Sequence, residues 1–172
     1  MATDVEIMSH ALSLAEENMR SWVWWPVACI IAKNKEIIFS SLNKMSEDGF
    51  DPTAHAEITT IREFCKQEKI RECSWYEMYV TAEPCPMCLW AIYRACFDAV
   101  YFCTSVDDAE ECKWIDKKIY QQFQLPKEER VIPCVQVVDE KWKKMLAQRD
   151  LFAECRPDLS TLIQRQRKKL ST

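Results

Sequence analysis

No apolar run in the 172 residues approaches the roughly 20 that a membrane span needs. With 48% hydrophobic and 29% charged residues, the chain reads as soluble and globular. It also has no excess of positive charge. A net charge of -4 and a pI of about 5.3 argue against an enzyme that must hold a long polyanion such as folded RNA. A small neutral substrate suits that balance, and a nucleic-acid partner is not expected. No internal repeat or low-complexity linker divides the sequence, so the expectation is one domain over residues 1–156 followed by a basic C-terminal tail over 157–172. The first six residues, Met1 to Glu6, lack the basic patch and apolar core of an export signal, and a cytoplasmic location is expected. Glycine occurs once, as Gly49, so tight turns elsewhere must fall to other residues. Histidine occurs twice, and His10 on the opening helix reads as a surface or core residue without chemistry.

Cysteine, by contrast, occurs ten times. Without an export signal these thiols are expected to be reduced. Cys29, Cys65, Cys96, Cys103 and Cys134 lie in apolar stretches and read as small buried hydrophobes. Cys85 and Cys88 alone are assigned chemistry.

Hydrophobic periodicity predicts a helix from Val5 to Met19, with Val5, Met8, Leu12, Ala15 and Met19 as its buried stripe and Thr3 or Asp4 as its cap. A β-hairpin follows, Val27 to Lys33 and Glu36 to Leu42, turning at Asn34. Asp51-Pro52 has the form of a helix cap and first position, so a helix is expected to start immediately before His55 and run to about Cys65. Beyond it come a strand from Glu77 to Thr81, a helix led by Pro86 and ending near Cys96, and a strand from Ala99 to Cys103. A helical or broken-helical stretch from Asp107 to Phe123, a strand from Val131 to Val138 and a long amphipathic helix from Asp139 to about Cys155 complete the order. Such alternation implies a mixed five-stranded sheet in a three-layer α/β/α sandwich.

The chemistry rests on His55-Ala56-Glu57 and, twenty-eight residues beyond, Pro84-Cys85-Pro86-Met87-Cys88. One imidazole and two thiolates leave one of zinc's four positions open, and an open position is what separates catalytic from structural zinc. Cys85 and Cys88, three apart at a helix start, can grip one ion, and the positive helix end favours their thiolates. Glu57, two residues past His55, falls on another side of the helix and is expected to carry protons and not to bind the metal. The alternatives for Cys85 and Cys88 are a thioredoxin-like redox pair or half of a structural zinc site. Glu83 is either a support for the metal loop or a strand-end carboxylate.

These motifs resemble the cytidine deaminase superfamily, and within it the bacterial-type guanine deaminases. The likeness rests on Asp51-Pro52-Thr53-Ala54-His55-Ala56-Glu57, on Glu83-Pro84-Cys85-Pro86-Met87-Cys88-Leu89 and on Ala91-Ile92-Tyr93. It extends from about Ala11 to Trp142 through Ile119-Tyr120, Glu128-Glu129-Arg130 and Ile132-Pro133. Zinc-activated hydrolytic deamination is the known chemistry of that superfamily, so the resemblance implies the mechanism here. It also implies a cytidine deaminase-like fold, zinc held by His55, Cys85 and Cys88, and Glu57 as proton shuttle. It further implies hydrogen bonding of a purine by Asn43, backbone contacts to the base at Ala54, and an acid at Asp116 that serves the leaving amine. A homodimer is implied as well, its C-terminal segment often closing the neighbouring site. Guanine is the implied substrate, with a tRNA-editing adenosine deaminase or an inactive zinc-binding relic as alternatives. The sequence departs from the family at the substrate wall. Val27 stands where an aromatic residue is expected against the base, Trp90 replaces a small residue, and Arg94 follows Tyr93 where a large aromatic is common. Trp22, Trp24 and Trp25 line the pocket or, more simply, pack in the core or an interface. On residue type alone, Asn43 reads as a turn residue and Asp116 as a solvated helix-end charge. The run Arg165 to Lys169 reads as a solvated tail, since no aromatic residue is interleaved with its charges.

Overall fold

The computed structural model describes residues 1–20, 26–46, 50–111, 116–132, 134–138 and 163–164. The tryptophans at 22, 24 and 25, Gly49, the expected helix from Asp139 to Cys155 and nearly all of the basic tail lie outside the described residues.

Helix α1 spans Asp4–Arg20. Thr3 and Glu6 form a reciprocal cap, in which the Glu6 amide donates to the Thr3 hydroxyl at 3.2 Å and the Thr3 amide donates to the Glu6 carboxylate at 2.7 Å. Strands β1 (Ala28–Lys33) and β2 (Glu36–Leu42) form the expected hairpin. Its two-residue turn has Asn34 at φ 52° and Lys35 at φ 62°, the left-handed geometry that twisted hairpins prefer. Helix α2 (Ala56–Glu68), strand β3 (Glu77–Ala82), helix α3 (Pro86–Arg94), strand β4 (Ala99–Thr104), helix α4 (Val106–Glu111) and helix α5 (Asp116–Gln124) follow in chain order. The sheet order is β2-β1-β3-β4, with β1 antiparallel to both neighbours and β3 parallel to β4.

The chain is thus α/β with a mixed sheet, but among the described residues the sheet has four strands and not five. The described residues of the β-branched segment from Val131 to Val138 form no strand, and Val131, Val135 and Val137 are each more than four-fifths exposed. Its composition suits a pleated surface, yet composition alone does not dock a segment on a sheet edge.

Strand β1 is buried on both faces, which makes three layers. Cys29 and Ile31 pack with Met78, Phe64 of α2 and Ile92 of α3, whereas Ile30 and Ala32 pack with Tyr79 against Ile7 and Ala11 of α1. The buried stripe of α1 is Ile7, Ala11, Ala15 and Asn18; of the expected stripe Ala15 is buried and Met8 partly so, while Ile7, Ala11 and Asn18 each precede an expected position by one. Val5, Leu12 and Met19 face solvent. Alanines at two successive turns let the helix lie close to the sheet, a gain that periodicity weighted towards large side chains misses.

Lys35 ties the hairpin turn to the start of α1. Its ammonium lies 2.7 Å from Asp4, 2.9 Å from Glu77 and 3.0 Å from the Tyr79 hydroxyl, and 5.0 Å from the Tyr101 ring centre. Tyr79 and Tyr101 stack at 4.6 Å. The hydrogen bond from Lys35, and then that from Tyr79, holds the Asp4 carboxyl below its usual 3.8. A depressed acid contributes stability that is complete above its unfolded value and lost as pH falls through the folded one. Lys35→Met is therefore expected to cost about 1 kcal/mol at pH 7, and the difference from the parent should shrink below about pH 4. Urea unfolding at both pH values checks this.

Candidate metal centre

Two helix starts meet at the site. Asp51 does not cap a helix as expected. Its carboxylate accepts from the Thr53 amide at 2.8 Å and the Thr53 hydroxyl at 2.7 Å, closing a turn that leaves His55 as the residue capping α2. Cys85 holds the equivalent place before α3, with Pro86 first in the helix as expected. Cys88 is one turn further in and fully buried.

His55 Nδ1 lies 3.6 Å from Cys85 Sγ and 3.5 Å from Cys88 Sγ. With metal bonds of about 2.3 Å to sulfur and about 2.05 Å to nitrogen, tetrahedral zinc separates a nitrogen and a sulfur ligand by about 3.6 Å. The donors are therefore already spaced for the ion. They are also the group of three among the described residues whose ligand atoms lie within 4.8 Å of one another. Glu57 is outside that group.

The electrostatics favour a cation. A hydrogen bond from Cys88, together with His55, brings the Cys85 thiol down to about 4. Cys88 is pushed up, because its proton is the one given to Cys85 and because it is buried. The pair therefore holds one thiolate and one shared proton, which a metal would displace. Glu57 is 4% exposed, and burial is the main cause that raises its carboxyl to about 7. Cys29 lies buried in β1 close enough to feel that charge.

The cluster opens on a cavity of about 740 Å³ whose wall is mostly apolar. Val27 and Asn43 line it, as do Glu57, Glu83 and Trp90. Asn43 is buried, its carbonyl accepting the Met45 amide at 3.0 Å, so its side chain is held in place. Ala54 is buried too but is not among the lining residues, and its backbone is already bonded: its amide donates to Asp51 at 3.1 Å and its carbonyl accepts from Lys44 at 3.0 Å. Asp116 is the first residue of α5, the helix that brings Ile119 and Phe123 to the cavity. His10 is exposed on α1, away from this chemistry.

Several contributors escaped the sequence. Met45 and Phe123 form part of the wall, and no short motif marks them, while Met87 and Ile119 lie in stretches that carry the resemblance without being marked as wall residues. Glu83 accepts from the Val106 amide at 2.8 Å, anchoring α4, while its own amide donates to Thr104 at 2.7 Å. The Tyr120 hydroxyl donates to the Pro84 carbonyl, clamping the residue before Cys85. Both clamps orient the metal loop. Among the other cysteines, Cys29 and Cys96 are buried as expected, but Cys103 and Cys134 are exposed and Cys65 is partly so. Cys103 is exposed beside Phe102 on β4, which pairs on one side only among the described residues, and Cys134 lies in the segment that forms no strand.

Residues 1–104 match the cytidine and deoxycytidylate deaminase zinc-binding region. A guanine deaminase of Bacillus subtilis is 38% identical over 130 residues, 76% of this chain and 83% of that one. The crystal structure of guanine deaminase from Bacillus subtilis superposes with a TM-score of 0.81 at 33% identity, covering 91% of this chain and 99% of that one. A tRNA-specific adenosine deaminase of Aquifex aeolicus is 42% identical over 77 residues, 45% of this chain and 50% of that one.

Removing the Tyr120 hydroxyl should loosen the metal loop without touching a donor. Tyr120→Phe is expected to weaken zinc binding by about tenfold while leaving the fold intact. Competition with a chromogenic chelator, alongside circular dichroism, measures both.

Proposed function

Because the chain belongs to the cytidine and deoxycytidylate deaminase family, we propose that it is a zinc-dependent aminohydrolase of a free purine base, converting guanine and water to xanthine and ammonia. The observation that carries this reading is a three-donor cluster, two of whose members, His55 and Cys85, share one apolar cavity with the buried Glu57 carboxylate. Identity of 38% with a guanine deaminase supports the choice of base.

His55, Cys85 and Cys88 would hold zinc, which would supply the Lewis acidity that lowers the pKa of water towards neutrality. Glu57 takes a proton from the attacking water and delivers it to the ring nitrogen beside the amino-bearing carbon. A second transfer accompanies breakage of the carbon–nitrogen bond, so the amino group leaves as ammonia. A carboxyl poised near 7 by burial suits a group that must accept and then give up a proton. Asp116 shares in protonating the departing amine. Asn43, its amide held by Met45, hydrogen-bonds the base, while Val27 packs against the ring. With Val27 too small to stack, Trp90, which also lines the cavity, supplies the aromatic contact. Ala54 serves by fixing the approach to His55 through its two backbone bonds.

Incubation with guanine is expected to release ammonia, and Glu57→Gln should retain one zinc per chain while losing activity by on the order of 10³-fold. Silence on guanine and on related aminopurines would overturn the reading. The tRNA-editing alternative draws on the Aquifex relative but needs a basic face that a net charge of -4 does not favour. Deamination of tRNA in preference to free base would establish it.

On the same reading the enzyme is a cytoplasmic homodimer. No described helix is long and apolar enough to cross a membrane, and thiolate ligands persist best in a reducing compartment. Among the described residues β4 pairs only with β3, and Val131, Ile132, Val135 and Val137 are 77–89% exposed, an apolar surface that pairing with a second copy would cover. Sedimentation should give twice the chain mass of 20.3 kDa, and a 20.3 kDa species at micromolar concentration would refute the dimer.

A further inference from the structure

Outside the metal donors, a second pair of thiols lies in contact. Cys65 Sγ and Cys73 Sγ are 3.7 Å apart, one partly exposed in the last part of α2 and the other buried in the segment before β3. We propose that Cys65 and Cys73 are an oxidisable dithiol site, closed to a disulfide by hydroperoxides, that staples together the far ends of the two helices whose starts carry the metal donors.

Three observations support the staple. A disulfide needs its sulfurs at about 2.05 Å, so closure asks for a movement of under about 2 Å, within reach of side-chain rotation. Cys65 is ten positions along from His55, about 15 Å at helical rise, so the bond would form well away from the metal. The Cys73 amide donates at 2.6 Å to the carbonyl of Ala95, the residue that caps the end of α3. A bond from Cys65 to Cys73 would therefore join the end of α2, through one backbone hydrogen bond, to the end of α3.

The two thiols are also unequal in a way that suits stepwise oxidation. The hydrogen bond from Cys73 brings the Cys65 thiol down to about 7 against the opposing effect of burial. Cys73, which gives that bond and is itself buried, is pushed up and keeps its proton. In the first step the Cys65 thiolate attacks one oxygen of the hydroperoxide. A sulfur–oxygen bond forms, the oxygen–oxygen bond breaks and, after protonation, an alcohol or water departs, leaving Cys65 as a sulfenic acid. In the second step the Cys73 sulfur attacks the Cys65 sulfur. The sulfur–sulfur bond forms, the sulfur–oxygen bond breaks, and the hydroxyl leaves as water with the thiol proton. Two thiols are oxidised and one hydroperoxide is reduced. Cys96 is the rival partner, being buried near enough for its charge to act on Cys73.

The test treats the zinc-loaded full chain with hydrogen peroxide and maps peptides without reduction. The expected result is a Cys65–Cys73 linkage, reversed by dithiothreitol. Because the two positions are only eight apart, the linkage closes a short loop, and the unfolding midpoint should rise by about 5 °C. Cys65→Ser, at the partly exposed position, should abolish both the linkage and the rise. A linkage to Cys96, a sulfinic acid at Cys65 without linkage, or a linkage with an unchanged midpoint would each overturn the proposal.

Discussion

His55 Nδ1 can lie within 3.6 Å of two sulfurs only because two helices begin at adjoining points on one face of a sheet. Strand order supplies that constraint. With β1 between β2 and β3, the chain leaving β2 enters α2 and the chain leaving β3 enters α3 on the same side. Ala56 and Phe64 of the first helix and Ile92 of the second pack on one core with Cys29, Ile31 and Met78. Each donor sits before or within a first helical turn, where unpaired amides and the helix dipole favour negative charge. The backbone thus prepares for thiolates before any ion arrives.

Burial then makes the donors and Glu57 one electrostatic unit. After desolvation, Cys85 raises the Glu57 carboxyl, and Glu57 in turn contributes to keeping the Cys88 proton in place. Three acidic groups in so small and dry a volume cannot all ionise, and a divalent cation relieves that conflict. The same low dielectric that makes the conflict costly gives the carboxyl its poise near neutral pH. Metal affinity and proton transfer therefore share one cause. A change that admitted water would weaken both together.

What could be read from the sequence follows from how local each determinant is. His55, Glu57, Cys85 and Cys88 lie in two short stretches, and the spacing that brings them together is set by cap geometry within a few residues. Asn34 marks its turn for the same reason. The register of α1 is not local, since Ile7 and Ala11 are buried by the shape of the sheet they meet and Leu12 would have served an isolated amphipathic helix equally well. Nor is strand pairing local. The stretch from Val131 to Val138 carries the right residues, but no pattern within the segment encodes whether it docks on an edge. Part of the cavity wall was hidden for a related reason: Met45 and Phe123 come from separate parts of the chain and meet only once it has folded. Tyr120 looks like one more apolar position on α5 until its hydroxyl is found on the Pro84 carbonyl.

The division of labour between donors and wall also determines how substrate choice can work. Apolar contacts from Val27, Met45 and Trp90 favour any flat ring, because dispersion and area burial carry no direction. A cavity of about 740 Å³ is too roomy to select a single base by exclusion. Discrimination must come from polar groups at fixed positions, where a missing partner leaves a buried donor or acceptor unpaired at a cost of about 1–3 kcal/mol. Asn43 is such a group, rigid because the Met45 amide already holds one side of it. On the proposed function, reaction type would reside in the donors and Glu57, whereas base preference would reside in a few hydrogen bonds around a permissive wall.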